Sequence, residues 1–269
     1  MYLKSKKSFL SFNSNEKKIM KNKNDLAKVP EVTLMFWIIK IASTTLGETG
    51  GDSVSMSLGV GYLVGTAIFS GIFLLAVSVQ IYQKKFHPVI YWITIIATTT
   101  VGTTLADFVN RSIGIGYTGG TLILSSFLMA SLFIWHRTLG TVSINTIATS
   151  KQEIFYWITI MFSQTLGTAL GDWTADSSGL GYLLSAVVFS TSLMIVAGAY
   201  YWSSFSRTLL FWAAFILTRP LGAVVGDFLD KPVSHGGLDL SRYSASFILL
   251  LFIALCIKFS PSNAAQKSH

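Results

Sequence analysis

Apolar stretches of membrane-crossing length recur from Val32 to Phe259, broken by short polar or glycine-rich segments. A helix needs about 20 mostly apolar residues to cross the hydrocarbon core. The pattern predicts eight such helices, near Val32–Gly50, Gly59–Tyr82, Val89–Val109, Gly116–Trp135, Ile154–Asp172, Leu180–Trp202, Leu209–Phe228 and Tyr243–Phe259. The expected fold class is all-α, a polytopic membrane protein.

The polar positions inside these stretches are not scattered. Phe36-Trp37, Gly47, Asp52 and Gly59-Val60-Gly61-Tyr62 return as Tyr91-Trp92, Gly102, Asp107 and Gly114-Ile115-Gly116-Tyr117, then as Tyr156-Trp157, Gly167, Asp172 and Gly179-Leu180-Gly181-Tyr182. A fourth copy keeps Phe211-Trp212, Gly222 and Asp227 but has a longer, altered second half around Gly236-Gly237. In every copy the glycine follows the tryptophan by ten residues and the aspartate follows the glycine by five. The tryptophans are 55, 65 and 55 residues apart, so the copies group as two pairs around a polar connection. Each copy holds two spans, so all four run in the same direction, as parallel repeats. The boundaries are a basic arm over 1–29 expected to be disordered, repeats one and two over 30–139, a connection over 140–152, repeats three and four over 153–259, and a tail over 260–269.

Two stripes run along the first helix of each copy. Small residues recur every four positions: Ser43, Gly47, Gly51; Thr98, Gly102, Ala106; Ser163, Gly167, Gly171; Thr218, Gly222, Gly226. Small-xxx-small spacing lets helix backbones approach closely in lipid, so Gly47, Gly51, Gly102, Gly167, Gly171, Gly222 and Gly226 read as packing residues. Beside them lies a polar stripe: Lys40, Thr44, Glu48, Asp52; Ile95, Thr99, Thr103, Asp107; Ile160, Gln164, Thr168, Asp172; Phe215, Arg219, Ala223, Asp227. Residues four apart share a helix face, and polar groups within a span face a bundle interior or a wet cavity. The four first helices are thus expected to surround a shared polar interior.

The aspartates admit two readings. Asp52 lies fifteen residues beyond Trp37, roughly 22 Å at helical rise, close to the far interface, where it would close a turn or act as a ligand. Glu48 occurs only in copy one and Arg219 only in copy four. A Glu48–Arg219 pair would let both be buried; pairing of Arg219 with a repeat aspartate, or snorkelling, is the alternative. Lys40, three residues after Trp37, is expected to snorkel. Trp37, Trp92, Trp157, Trp212 and the Gly-Tyr pairs read as interface anchors.

Composition agrees. Charged residues make up 12% and hydrophobic residues 51% of 269 residues, and mean hydropathy is +0.57, which excludes a soluble enzyme with one core. The net charge of +8 comes mostly from an arm carrying eight lysines before Pro30, without an aromatic-rich surface. It reads as a topology signal that also touches anionic lipid, not as a nucleic-acid site. Fifteen Lys and Arg fall on the side of the termini, while Arg111, Lys231 and Arg242 fall on the other, so both termini are expected in the cytoplasm. The arm has no h-region of a signal peptide, and Met20 offers an alternative start. Cys256 is the sole cysteine, which rules out an intramolecular disulfide. The four histidines lack metal-ligand spacing. No phosphate loop, nucleophile elbow or zinc-protease motif is present, so neither catalysis nor a cofactor is expected.

Pro30-Glu31-Val32-Thr33, Phe36-Trp37, Thr44-Thr45-Leu46-Gly47-Glu48 and Gly51-Asp52 carry a resemblance, over about Val29 to Phe259, to the uncharacterised bacterial multi-pass membrane proteins built from four tandem two-helix repeats of unknown function. The resemblance implies a bacterial inner-membrane protein and no defined activity. The residues themselves point first to a transporter of a small cation, a metal ion or a proton. Its path would be lined by Asp52, Asp107, Asp172, Asp227, Glu48, Arg219, Thr44, Thr99 and Gln164, because carboxylates and hydroxyls suit hard ions. The alternative is a non-transporting scaffold or sensor that binds a partner or lipid through the basic arm. A monomer and an oligomer fit equally.

Overall fold

The computed structural model describes residues 28–260 and 263–265. The basic arm expected over 1–29 therefore lies outside the described residues except for Lys28 and Val29, and the tail except for Ser260 and residues 263–265. Eight long helices follow one another: α1 Leu34–Asp52, α2 Tyr62–Tyr82, α3 Pro88–Asp107, α4 Gly116–Leu139, α5 Ser150–Asp172, α6 Gly181–Trp202, α7 Arg207–Asp230 and α8 Arg242–Phe259. By length and apolar content α2, α3, α4, α6, α7 and α8 can each cross a membrane. α1 and α5 fall short of that mark, and their polar residues Lys40, Glu48, Glu153 and Gln164 are buried inside the bundle. The chain is a multi-pass membrane protein.

Local chemistry sets the helix ends. Thr33 accepts a hydrogen bond from the Phe36 amide at 3.2 Å, α3 opens on Pro88, and Thr149 and Gln152 cap α5 reciprocally. Beyond Asp52, Asp107 and Asp172 the chain widens into a single π-helical turn, over Ser53–Ser57, Phe108–Ser112 and Trp173–Ser177. The Gly-x-Gly that follows is explained by its backbone: Gly59 and Gly61, Gly114 and Gly116, and Gly179 and Gly181 all have φ between 69° and 79°, a region closed to most side chains. The fourth copy replaces this turn. α7 continues three residues past Asp227, and the loop folds back with Leu238, Asp239 and Leu240 amides bonded to the Phe228, Lys231 and Leu229 carbonyls at 2.8–2.9 Å.

The first helices of the four copies form a closed ring in chain order, α1 against α3, α3 against α5, α5 against α7 and α7 against α1. Each second helix packs chiefly on the first helix of the next copy: α2 on α3, α4 on α5, α6 on α7, and α8 back on α1. The two-helix copy recognised in the sequence is therefore not a packing unit by itself, and the last helix must return to the first to complete the bundle. Chain ends accordingly meet, with Pro30 and Ala264 bridged and the Ala265 amide 2.8 Å from the Val29 carbonyl. The Lys28 ammonium is buried 2.5 Å from Glu153 and 2.9 Å from the Ile81 carbonyl. Lys28 is thus held in place, whereas the sequence put it in the arm expected to be disordered.

Contacts between neighbouring inner helices repeat around the ring. A Cβ on Gly47 would meet Thr99, on Gly102 it would meet Gln164, on Gly167 Arg219, and on Gly222 Thr44, all at 3.0 Å or less. One turn on, Gly51 faces Thr103, Gly171 faces Ala223 and Gly226 faces Glu48. The small stripe of each helix thus receives the polar stripe of the next, with both numberings rising together, as parallel helices require. The outer helices leave Leu63, Leu75, Phe133, Leu183, Ile195 and Phe247 more than half exposed. An apolar surface of this kind belongs in lipid.

Glycine substitutions test this packing. A Cβ on Gly222 would stand 2.1 Å from the Thr44 hydroxyl and 2.9 Å from its carbonyl carbon, whereas one on Gly50 meets nothing within 4 Å. Gly222→Ala is expected to destabilise the purified protein by roughly 1–3 kcal/mol in thermal unfolding, and Gly50→Ala to leave it unchanged or slightly more stable.

Candidate functional site

Because the polar stripes point inward, their residues stack in layers along the ring axis. Lys40, Ile95, Ile160 and Phe215 form one layer; Thr44, Thr99, Gln164 and Arg219 the next; Glu48, Thr103, Thr168 and Ala223 the third; Asp52, Asp107, Asp172 and Asp227 the last. Every one of these sixteen residues is 3% exposed or less, so the interior is shared, as the stripes demand, and tightly filled.

An aromatic layer closes one end. Phe36, Tyr91, Trp92, Tyr156, Trp157, Phe211 and Trp212 are buried there, with ring centroids 5.1–6.4 Å apart in adjoining pairs. The Tyr91 and Tyr156 hydroxyls are 2.6 Å apart, and the Trp212 indole donates to the Val142 carbonyl at 3.0 Å. This corrects the reading of Trp92, Trp157 and Trp212 as interface anchors. They face the bundle, because the position three residues before the polar stripe lies on the same inward side of the helix. Trp37 is partly buried and packs edge-on against Phe36. The Gly-Tyr residues also have specific partners: the Tyr62 and Tyr117 hydroxyls accept from Arg111 at 3.1 and 3.0 Å.

Lys40 does not snorkel. It is 0% exposed, its Nζ reaches Gln164 Oε1 at 3.5 Å, and it lies 4.2 Å from the centre of the Phe215 ring. Since α1 and α5 stand opposite in the ring, the Lys40–Gln164 contact crosses the axis. Higher up, Arg219 crosses it again. Its Nη2 donates to Glu48 Oε2 at 2.9 Å, to Thr103 on the opposite helix at 2.6 Å, and to Thr168. Glu48 and Arg219, the two charges that break the repeat, therefore meet at the centre, both buried. Thr44 donates instead to the Thr218 carbonyl at 3.2 Å, holding α1 to α7.

At the far end the four repeat aspartates are salt-bridged rather than engaged in side-chain capping of a turn. Asp107 pairs with Arg111 at 3.0 Å, and the same guanidinium lies 3.6 Å from Asp172. Asp52 and Asp227 share Lys231, at 2.7 and 3.0 Å. Arg242 pairs with Asp230 at 2.6 Å and reaches Asp52 at 3.9 Å. All three basic residues that the loops place on this side thus turn onto the acids. Burial works against the Lys231 ammonium, yet the carboxylates of Asp227, Asp52 and Asp230 outweigh it and hold its pKa above the ordinary 10.5.

The acids also form two groups able to surround an ion. One oxygen from each of Glu48, Asp172 and Asp227 lies within 4.8 Å of the others, and the same holds for Asp52, Asp227 and Asp230. Oxygen donors of this kind fit hard divalent cations. Asp52 Oδ1 and Asp230 Oδ1 have no hydrogen-bond partner among the described residues, while the Lys231 ammonium occupies the position between Asp52 and Asp227. Sequence reasoning did not select Lys231, Arg111, Arg242 or Asp230. For Asp230, Lys231 and Arg242 the available signal was the altered fourth copy, whose loop and flanking helix ends supply them.

A family model described as a repeat of unknown function, DUF347, matches the chain four times in tandem, over residues 35–86, 90–141, 155–206 and 210–260. The chain belongs to this family. No curated protein and no solved structure matches it.

Lys231→Met leaves two buried carboxylates, Asp52 and Asp227, short of a counter-charge. The loss is expected to be about 3 kcal/mol, the low end for a broken buried pair, because Arg242 also reaches Asp52. A group whose folded-state pKa is raised stabilises fully below its unfolded pKa, and that stabilisation fades as pH rises through the folded value. Thermal unfolding of the two proteins should therefore differ by a constant margin from pH 7 to about pH 10 and converge above it.

Proposed function

We propose that this member of the family moves a small cation, a hard metal ion or a proton, across a bacterial inner membrane along the axis of its inner ring. The observation that carries the reading is the gathering of five aspartates and Glu48 at one end of a closed ring of four helices. Ionisable groups buried within membrane helices are costly and mark ion or proton paths. With both termini in the cytoplasm, in keeping with the Lys and Arg distribution, this end faces outward, where excess negative charge concentrates cations.

The chemistry follows from the layers. An arriving cation competes with Lys231, a flexible tethered ammonium, for Asp52 and Asp227, and Lys231 swings aside as the ion is taken up. The next oxygens inward are those of Glu48, beside Asp172 and Asp227. Arg219 holds Glu48 and repels the ion from going further until that pair opens. In this reading the aromatic layer closes the cytoplasmic end.

A second reading, a scaffold or sensor without transport, is favoured by one observation: stripe residues touch directly across the axis, Lys40 to Gln164 and Arg219 to Thr103.

Asp172→Asn separates the two, since it removes a carboxylate without disturbing the Glu48–Arg219 pair. In proteoliposomes loaded with metal- and pH-sensitive dyes, wild type should carry a cation flux, and the variant should lose roughly tenfold or more of it. Absence of flux for protons and for magnesium, manganese and calcium in well-inserted wild type would reject transport of these ions in favour of the scaffold.

A further inference from the structure

The aromatic end of the bundle, opposite the carboxylates, holds an open cavity of about 380 Å³. Its walls are the start of α1, Trp92 of α3, and the place where the described chain ends meet, through Pro30, Glu31, Ser260 and Asn263. A cavity of this size accepts a small-molecule group, and three of its features point to one. The first is Trp92, which lines the cavity, is 1% exposed, and has an indole Nε1 without a hydrogen-bond partner among the described residues. Buried N–H groups without an acceptor are rare. Trp212, at the equivalent position of copy four, donates to the Val142 carbonyl. Trp157 is unpaired as well but does not line this cavity.

The second feature is the start of α1. The first amides of a helix have no acceptor within it. Thr33 takes that of Phe36 at 3.2 Å, which leaves those of Leu34 and Met35, and both residues line the cavity. Since α1 runs for 19 residues, these amides carry the positive end of a full helix dipole and suit a phosphate. The third feature is Glu31, exposed on the rim, whose carboxylate has no ion pair among the described residues. That carboxylate repels a purely anionic ligand, and the free amides give a purely cationic one nothing to hold. A zwitterion with a phosphate and an ammonium close together satisfies both. Its source is the bilayer, because Leu34, 77% exposed, and Ile38, one turn further on, line the same wall and offer acyl chains an apolar path.

We propose that the protein binds one phospholipid of the phosphatidylethanolamine type in this cavity, its phosphate on the Leu34 and Met35 amides and the Trp92 indole, its ammonium on Glu31. A primary ammonium brings three N–H donors to the carboxylate, and the quaternary group of choline brings none. The site lies at the other end of the ring from the acids and stands whether or not cations cross. Held between the start of α1 and the segment beyond α8, the headgroup also ties the first and last helices of the bundle together.

The test uses the full-length protein delipidated in detergent and titrated with phosphatidylethanolamine, phosphatidylcholine and phosphatidylglycerol of identical acyl chains, with bound lipid read by native mass spectrometry. One ethanolamine lipid per chain should bind saturably, about fivefold or more tighter than the other two, as a charged hydrogen bond provides. Glu31→Gln, at an exposed position, should bring the three lipids to similar affinity. Trp92→Phe keeps a ring in the aromatic layer and should weaken the ethanolamine lipid about threefold or more. Soluble phosphoethanolamine should compete only weakly, since it lacks the chains. Three results would overturn the proposal: equal affinity for the three lipids in wild type, a preference for ethanolamine that survives Glu31→Gln, or phosphoethanolamine binding as tightly as the lipid, which would assign the cavity to a soluble ligand.

Discussion

Each inner helix buries the polar side chains of the next one against its own glycines, and the remainder of the architecture depends on this contact. Gly47 receives Thr99, Gly102 receives Gln164, Gly167 receives Arg219 and Gly222 receives Thr44, so the same joint is made four times and the fourth returns to the first helix. In lipid there is no hydrophobic gain from bringing helices together, and close backbone approach with satisfied polar groups has to hold them. The glycines provide the approach. The Thr44 and Thr103 hydroxyls of the stripe find carbonyls on their own and neighbouring helices, Thr44 those of Ile41 and Thr218, Thr103 those of Gly47 and Thr99. Once the ring is closed, sixteen side chains are forced to share one axis, and their chemistry becomes that of a single site.

Arg111 and Gln164 apart, the charged departures from four-fold repetition gather where the last copy meets the first. Glu48 meets Arg219, Asp52 meets Lys231 and Arg242, and Lys40 lies over Phe215. All of these contacts join copy one to copy four. A ring of identical joints has no preferred place to close, whereas opposite charges on the two terminal copies single out that junction. Polar pairs of this kind set register more than they add stability. The same charges create the site, because identical copies alone would supply only four aspartates and layers of threonine.

The outer helices solve a different problem. α2, α4, α6 and α8 contribute little to the axis and present apolar side chains outward, each bracing the inner helix of the following copy. The handover ties neighbouring copies together, so no copy can separate as a two-helix unit. It also brings α8 onto α1, where Ser246 lies 2.8 Å from Thr49, and it draws the described ends of the chain to the aromatic end of the bundle.

Periodicity made the architecture legible in the sequence. Apolar runs of spanning length gave eight helices, equal spacing gave four parallel copies, and two stripes four residues apart gave a packing face and a polar face on each first helix. The aspartates, Glu48, Arg219, Thr44, Thr99 and Gln164 were visible as an inward-facing set for the same reason. Tertiary structure alone decided what these residues meet. Lys40 near a tryptophan looked like a snorkelling residue, and Trp92 and Trp157 looked like interfacial ones, because helical periodicity gives a residue's face and depth but not the neighbour across the ring. Lys231, Arg111 and Arg242 were legible only as sparse loop charges, and their convergence on the aspartates needed the path of the turns. The reason is physical: a repeat along one helix is a local property of the backbone, whereas an ion pair or an unpaired donor at the axis depends on four helices closing in three dimensions around the same point.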